Sequence, residues 1–279
     1  MWKQQAQARR EKKAGSKSRP DGLRQFVRLA LVLLLLGGRP LRADSVPAEA
    51  ASGFYLLPLR VHFLQTEKFP EVSTTLTEKD LERILGKANK VWAHAGIGFY
   101  VESLRKEPPE PPEKFIEAKM AAMNPALLDL RPVGSQGTNC LNLYYLKRLD
   151  VNGIYYPEAI FVKDTAALRP VEGGIDEPIP RVTSHEIGHA LGLNHRQNTT
   201  NLMASGTTGT WLNAAEIEKA RAVAASLGWA RSPQQVLSEA DALRAAGKRA
   251  EARRLYQALA AAPLPAIDRE RAALRAVEE

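Results

Sequence analysis

The segment HEIGHALGLNH, residues 185–195, constrains the structure of this 279-residue chain more than any other stretch. His185 and His189 are four residues apart, so on an α-helix both side chains leave the same face. Gly192 can adopt the positive φ that ends a helix and turns the chain, which would bring His195 back toward that face. We therefore predict that three of the five histidines of the chain converge on one metal ion.

This ligand set predicts a catalytic rather than a structural metal. Structural zinc sites usually have four ligands and are rich in cysteine, whereas Cys140 is the single cysteine here. Three neutral imidazoles with a fourth position left for water or substrate are typical of catalytic zinc, with other first-row metals as the alternative. Glu186, beside the first ligand, is the predicted general base that takes a proton from a zinc-activated water in peptide-bond hydrolysis.

The remaining histidines and the cysteine are expected to have structural roles. His62 and His94 are isolated, one in a predicted strand and one late in a predicted helix. Cys140 begins a strand-like run and is expected to be a small buried residue, with a reactive thiol as the alternative. Acidic residues between positions 130 and 180 are sparse and scattered, so the sequence leaves calcium binding undecided.

The stretch HEIGHALGLNHRQNTTNLM, residues 185–203, carries a family resemblance. The motif HExxHxxGxxH followed by a methionine resembles that of the metzincin-clan zinc metallopeptidases, and this stretch is most similar to their bacterial matrixin-like members. The resemblance covers about residues 53–229. It implies that Met203 forms an apolar floor beneath the zinc, supported by the turn at Gly192.

The resemblance also implies a fold and a mode of substrate binding. The fold class is α+β: a twisted mixed β-sheet with an antiparallel edge strand, packed on an active-site helix and a C-terminal helix. A peptide substrate would lie extended along the edge strand within residues 153–162, and Trp211 would help to wall a side-chain pocket. The candidate substrate-binding residues on that strand are Gly153, Ile154, Tyr155 and Tyr156.

Two departures from the family pattern leave the subfamily and the regulation open. Arg196 follows the third histidine, in place of the residues typical of the best-known subfamilies, and Met203 comes only eight residues after it. About ten residues separate the predicted signal cleavage from the first strand, and none is the cysteine that blocks the zinc in matrixin propeptides.

The pattern of residues before the histidines is consistent with this fold. A strand is predicted from Gly53, then a helix capped by Thr77 and ended by Gly96, then a second strand. This order is typical of a parallel pair with a right-handed crossover. A Pro-rich insertion (107–132) precedes three short strand candidates. The last helix of the domain is predicted to begin after Asn213.

The N-terminal 43 residues resemble a signal peptide, with a basic stretch followed by an apolar run of about ten residues. That run is shorter than the roughly twenty residues of a membrane-spanning helix, so export to the periplasm or medium is expected, with an uncleaved membrane anchor as the alternative. Eleven of the 39 Lys and Arg residues, against two acids, lie here, and the rest of the chain has net charge −1. Because no excess of basic residues remains, nucleic-acid binding is not expected.

Residues 230–279 are expected to form an α-helical appendage separate from the catalytic domain (53–229), to which residues 44–52 form a short linker. The sequence weakly resembles one tetratricopeptide-type hairpin, with Gly247 at the turn and Tyr256 on the second helix. Its partner is unknown.

The predicted function is therefore that of an exported zinc endopeptidase acting on protein or peptide substrates. Two alternatives remain open. The domain could be a catalytically idle scaffold that works through its helical tail and Pro-rich insertion, or a zinc aminopeptidase or amidase.

Overall fold

The computed structural model describes residues 53–110, 113–117, 125–171, 175–206, 208–262, 264, 272, 273 and 275–277. The predicted signal peptide and linker lie outside these residues, as does part of the Pro-rich insertion. The elements, in chain order, are β1 (Tyr55–Leu64), α1 (Glu78–Trp92), β2 (Ile97–Glu107), α2 (Glu113–Glu117), β3 (Leu141–Leu146), β4 (Gly153–Tyr156), β5 (Ala159–Lys163), α3 (Pro178–Ala190), α4 (Ala214–Ser226), α5 (Pro233–Ala245) and α6 (Arg249–Ala261). Short 3-10 helices lie at Ala93–Ala95 and Pro125–Leu130.

The five strands form one mixed sheet in the order β2-β1-β3-β5-β4. Strands β2, β1, β3 and β5 run parallel to one another, and β4 runs antiparallel to β5 at the outer edge. The prediction of an α+β fold with an antiparallel edge strand, an active-site helix and a further C-terminal helix is confirmed.

Helix α1 connects the parallel strands β1 and β2, and its ends follow local chemistry. The Thr77 hydroxyl accepts a hydrogen bond from the backbone N–H of Asp80, whose carboxylate accepts one from the Thr77 N–H in return. Gly96, with φ of 64°, closes the end of the following 3-10 turn and leads into β2.

The sheet has two faces, which we call front and back. The front face is covered by α1 and α3, and Leu57, Leu59, Val61 and Phe63 of β1 point into this main core. Alternate residues of the strand point to the back face. There α5 and α6 pack on Leu56 and Tyr100, while α2 and residues 125–130 pack on Tyr144 and Phe161.

Helix α3 is the element that carries the first two histidines of the motif. It begins at Pro178, because proline favours the first turn of a helix, where its missing N–H costs nothing. It packs against α1, β4 and β5, and buries Val182 and Ile187 in the main core.

The C-terminal appendage is all-helical where the structure describes it. Gly247, with φ of 76°, lies between α5 and α6, and Tyr256 is buried against the back face of the sheet. Over the described residues, no helix has both the length and the apolar composition required to cross a membrane.

Candidate metal centre

The three motif histidines come together at the C-terminal end of α3. His185 and His189 lie one helical turn apart, and Gly192 adopts a φ of 79° just after the helix ends. The Leu193 N–H then donates to the Gly188 carbonyl, which fixes the turn that brings His195 back. One ring nitrogen from each histidine lies within 4.8 Å of the others.

Backbone carbonyls orient two of the three imidazoles. Nδ1 of His185 lies 2.7 Å from the Leu202 carbonyl oxygen, and Nδ1 of His189 lies 2.8 Å from that of Leu193. A carbonyl oxygen only accepts hydrogen bonds, so each Nδ1 is the donor and each Nε2 carries the lone pair in the neutral ring. Metal-binding histidines are held in this way.

One pair of ring nitrogens has the spacing that zinc requires, and two of the rings have the charge. Nε2 of His189 lies 3.1 Å from Nε2 of His195, and two ligands of tetrahedral zinc at 2.0–2.1 Å are about 3.3 Å apart. Burial lowers the pKa of His185 to about 4 and also lowers that of His189. Both rings are therefore neutral at pH 7, the form that binds metals.

Glu186 lies against the first residue of the edge strand. A Cβ atom placed on Gly153 would be 2.7 Å from Oε1 of Glu186 and 2.6 Å from Val182 Cγ1, so only glycine allows β4 to approach α3 so closely. The Glu186 side chain is 6% exposed, and burial raises the pKa of its carboxyl to about 8. A carboxyl with this pKa is mostly protonated at pH 7, and a cation bound beside it would lower the pKa again.

Met203 is fully buried against α3, and a second glycine makes room for it. A Cβ atom on Gly188 would lie 2.5 Å from the Met203 sulfur. Met203 is predicted from the sequence as support for the site, whereas Gly188 is not among the predicted residues. The signal was available, because glycine inside a helix is unfavourable unless close packing requires it.

The predicted substrate-binding residues divide between two faces and a separate cluster. Gly153 and Tyr155 face α3, and the Tyr155 ring lies 6.5 Å from the His189 ring. Ile154 and Tyr156 point to the back face. Trp211, 60% exposed, stacks on His94 with ring centroids 5.2 Å apart. The structure thus brings two of the five to the metal centre.

Comparison with known proteins finds distant structural similarity only. No family model and no curated protein matches the sequence. Archaemetzincin from Methanopyrus kandleri is similar with TM-score 0.40 and 18% identity, covering 64% of this chain and 98% of that one. Mirolysin in complex with compound 9 gives 0.37 and 11%, covering 61% and 91%. A zinc-dependent peptidase from Methanocorpusculum labreanum strain Z gives 0.29 and 15%, covering 58% and 92%. At these levels of similarity, the functional inference rests on the geometry of the site alone.

Proposed function

We propose that the protein is an exported zinc-dependent endopeptidase of the matrixin-like type. The observation that carries the proposal is the arrangement of His185, His189 and His195, whose ring nitrogens converge beside a buried glutamate, Glu186. Two of the rings are held by backbone carbonyls, which is more than a solvated helix face requires.

The residues have separate roles in this proposal. The three histidines would hold one zinc ion, whose chemistry when bound is Lewis-acid activation of water and of the peptide carbonyl. Glu186 would take a proton from the attacking water at its carboxylate and deliver it to the leaving nitrogen. The close contact between Gly188 and Met203 would hold α3 against the turn that carries Met203.

The edge strand supports the choice of an extended peptide as substrate. Among the described residues, β4 pairs in the sheet with β5 alone, and a substrate backbone bound along the other edge of β4 would use the hydrogen-bonding groups there. Gly153 places the start of this edge against Glu186, so a peptide bound along β4 would pass close to the proposed general base. Export is proposed from residues 1–43 on the sequence pattern alone.

Cleavage of a mixed library of end-blocked peptides tests the proposal. The purified wild type is compared with Glu186→Ala and with Glu218→Ala, which removes an exposed glutamate of α4. We expect Glu186→Ala to hold as much zinc as the wild type and to lose about 10²–10⁴-fold in cleavage rate, the usual contribution of a general base. Glu218→Ala should cleave normally.

The other outcomes point to other functions. Cleavage only of peptides with a free amino terminus would indicate an aminopeptidase. If the wild type and Glu186→Ala both bind zinc and neither cleaves any peptide, the result would contradict an endopeptidase. It would favour a binding role for the helical tail (230–279) and the Pro-rich insertion (107–132).

A further inference from the structure

Glu216 is a buried glutamate on α4. Among the described residues, it makes no hydrogen bond with the three motif histidines or with Glu186. Glu216 is 3% exposed, and both of its carboxylate oxygens are used. Oε1 accepts from Nε of Arg196 at 2.6 Å, and Oε2 accepts from Nδ2 of Asn201 at 2.7 Å and from the Asn213 N–H at 2.9 Å.

The first of these contacts leads to the third ligand. Arg196 directly follows His195, and its N–H donates to the Met203 carbonyl at 2.7 Å. Its own carbonyl accepts from the Ser205 N–H, so Arg196 pairs with the chain just after Met203 like a residue in a short parallel ladder. The ion pair with Glu216 therefore fixes the residue on which the position of His195 depends.

The second contact leads to the first ligand. The Asn201 side chain accepts from the Met203 N–H at 2.7 Å while donating to Glu216. Asn201 directly precedes Leu202, whose carbonyl orients His185. One carboxylate is thus connected to two of the three histidines: to His195 through the next residue, Arg196, and to His185 through Asn201, which precedes Leu202.

The charge of the glutamate is well compensated. Burial alone would raise its pKa, but the hydrogen bonds from the Asn213 backbone, Asn201 and Arg196 outweigh burial, and the pKa is lowered. A carboxylate with four acceptor sites and no donor matches three converging N–H groups, whereas an amide cannot, because its NH₂ would face one of the donors.

We propose that Glu216 is a positioning residue that sets the geometry of the metal centre by holding Arg196 and Asn201 in place. This inference rests on the proposed function, since it assumes that the histidines bind zinc. It gives Arg196, which departs from the family pattern, a role in the site: its guanidinium couples the third ligand to α4.

The test measures zinc affinity by competition with a chromophoric chelator, together with the absorption spectrum of the cobalt-substituted protein. The variants are Glu216→Gln, Arg196→Met and, as the matched control on the same helix, Glu218→Gln. Each is measured where circular dichroism shows it to be folded, so that a loss of stability alone does not change the readout.

Glu216→Gln should weaken zinc binding by about 10–100-fold and shift the cobalt spectrum, as loss of a partner behind a metal ligand typically does. Arg196→Met should weaken it less, because only one of the two connections is lost, and Glu218→Gln should leave it unchanged. In the double variant the two effects should not add, because both act through the same contact.

An unchanged zinc affinity and cobalt spectrum in folded Glu216→Gln would overturn the inference. If Glu216→Gln does not fold, the zinc affinity and cobalt spectrum of Arg196→Met are the test. The Arg196 side chain is half exposed, so the fold should tolerate its replacement. A wild-type protein that binds no zinc would overturn the proposed function itself, and this result would be seen before any variant is made.

Discussion

Each face of the sheet carries a buried histidine near a glutamate, but the ring nitrogens have different partners on the two faces. On the front face, His185 and His189 have one nitrogen held by a backbone carbonyl, and their other nitrogens converge with that of His195. On the back face, His62 has protein partners at both nitrogens: Nδ1 lies 2.6 Å from Glu107 Oε1 and Nε2 lies 3.4 Å from Asn142 Oδ1.

The difference shows what makes a histidine available to a metal. Burial and a nearby carboxylate are common to both faces, so neither distinguishes a ligand from a structural residue. The distinguishing feature is a backbone acceptor on one nitrogen that leaves the other free to bind. His62 is instead stacked on Tyr144, with ring centroids 4.1 Å apart, as a packed part of the back face.

Replacing one histidine on each face should give the largest contrast. We expect His189→Gln to lower zinc affinity by more than about 100-fold, since even loss of a partner behind a ligand costs 10–100-fold. His62→Gln should keep one zinc per chain and lose about 1–3 kcal/mol of stability from its buried hydrogen bond. Zinc content after dialysis, with urea unfolding for stability, checks both. Loss of zinc from His62→Gln would remove the distinction between the faces.

The histidine cluster on the front face could be predicted from sequence because its three members lie within eleven residues. Spacing on one helix and a glycine at its end were enough to place His185, His189 and His195 together. The back face was different: the partners of His62 lie 45 and 80 residues away in the chain, and no local pattern identifies them. Only the sheet register, which depends on the whole core, brings them together.

Replacing Gly153 tests whether close packing between the edge strand and α3 is needed for catalysis. In Gly153→Ala the new methyl group would push the Glu186 side chain out of its place, because Val182 blocks the other direction. We expect kcat to fall by up to about 100-fold with zinc retained, since small displacements of a catalytic group have effects of this size.

The control is Gly86→Ala in α1, where no atom lies within 4 Å of the added group and alanine favours the helix by up to about 1 kcal/mol. It should retain full activity and be slightly more stable. Full activity in Gly153→Ala would show that Glu186 does not need its contact with the edge strand.

A pair of glycines with similar backbone conformation separates strain from metal binding. Gly192 has φ of 79° and Gly134 has φ of 75°, so alanine at either position should cost roughly 1–2 kcal/mol of stability. Only Gly192 leads to a ligand, and its Cβ would also lie 3.3 Å from Val223. Of the two variants, we expect only Gly192→Ala to weaken zinc binding, by about tenfold. Equal zinc affinities in the two variants would show that the turn does not position His195.

What the sequence could not show in the site is the support behind the ligands. Glu216 lies 20 residues from Arg196 and 15 residues from Asn201 in the chain, so no local pattern connects it with the histidines. Trp211, predicted to help wall a substrate pocket, stacks on His94, a contact that the sequence does not indicate. Side-chain direction in a loop depends on packing that periodicity does not encode.

The smallest expected effect is the response of the back face to acid. Burial lowers the pKa of His62 below its ordinary 6.5, although the contact with Glu107 opposes this and Arg60 adds to it. Above pH 6.5 the ring is neutral in both the folded and the unfolded chain, so it adds no pH dependence. Below 6.5 the unfolded chain takes up a proton that the folded chain does not, and acidification destabilises the fold.

One such group contributes at most about 1.4 kcal/mol per pH unit between the two pKa values. We therefore expect the zinc-loaded wild type to lose slightly more stability than His62→Gln when the pH falls from about 6.5 to about 5.5. Urea unfolding at these two pH values, with zinc in excess, measures the difference. The excess zinc matters because His185 and His189 would otherwise add acid sensitivity of the same sign. A variant that loses as much stability as the wild type would show that His62 titrates normally, and that Glu107 offsets its burial.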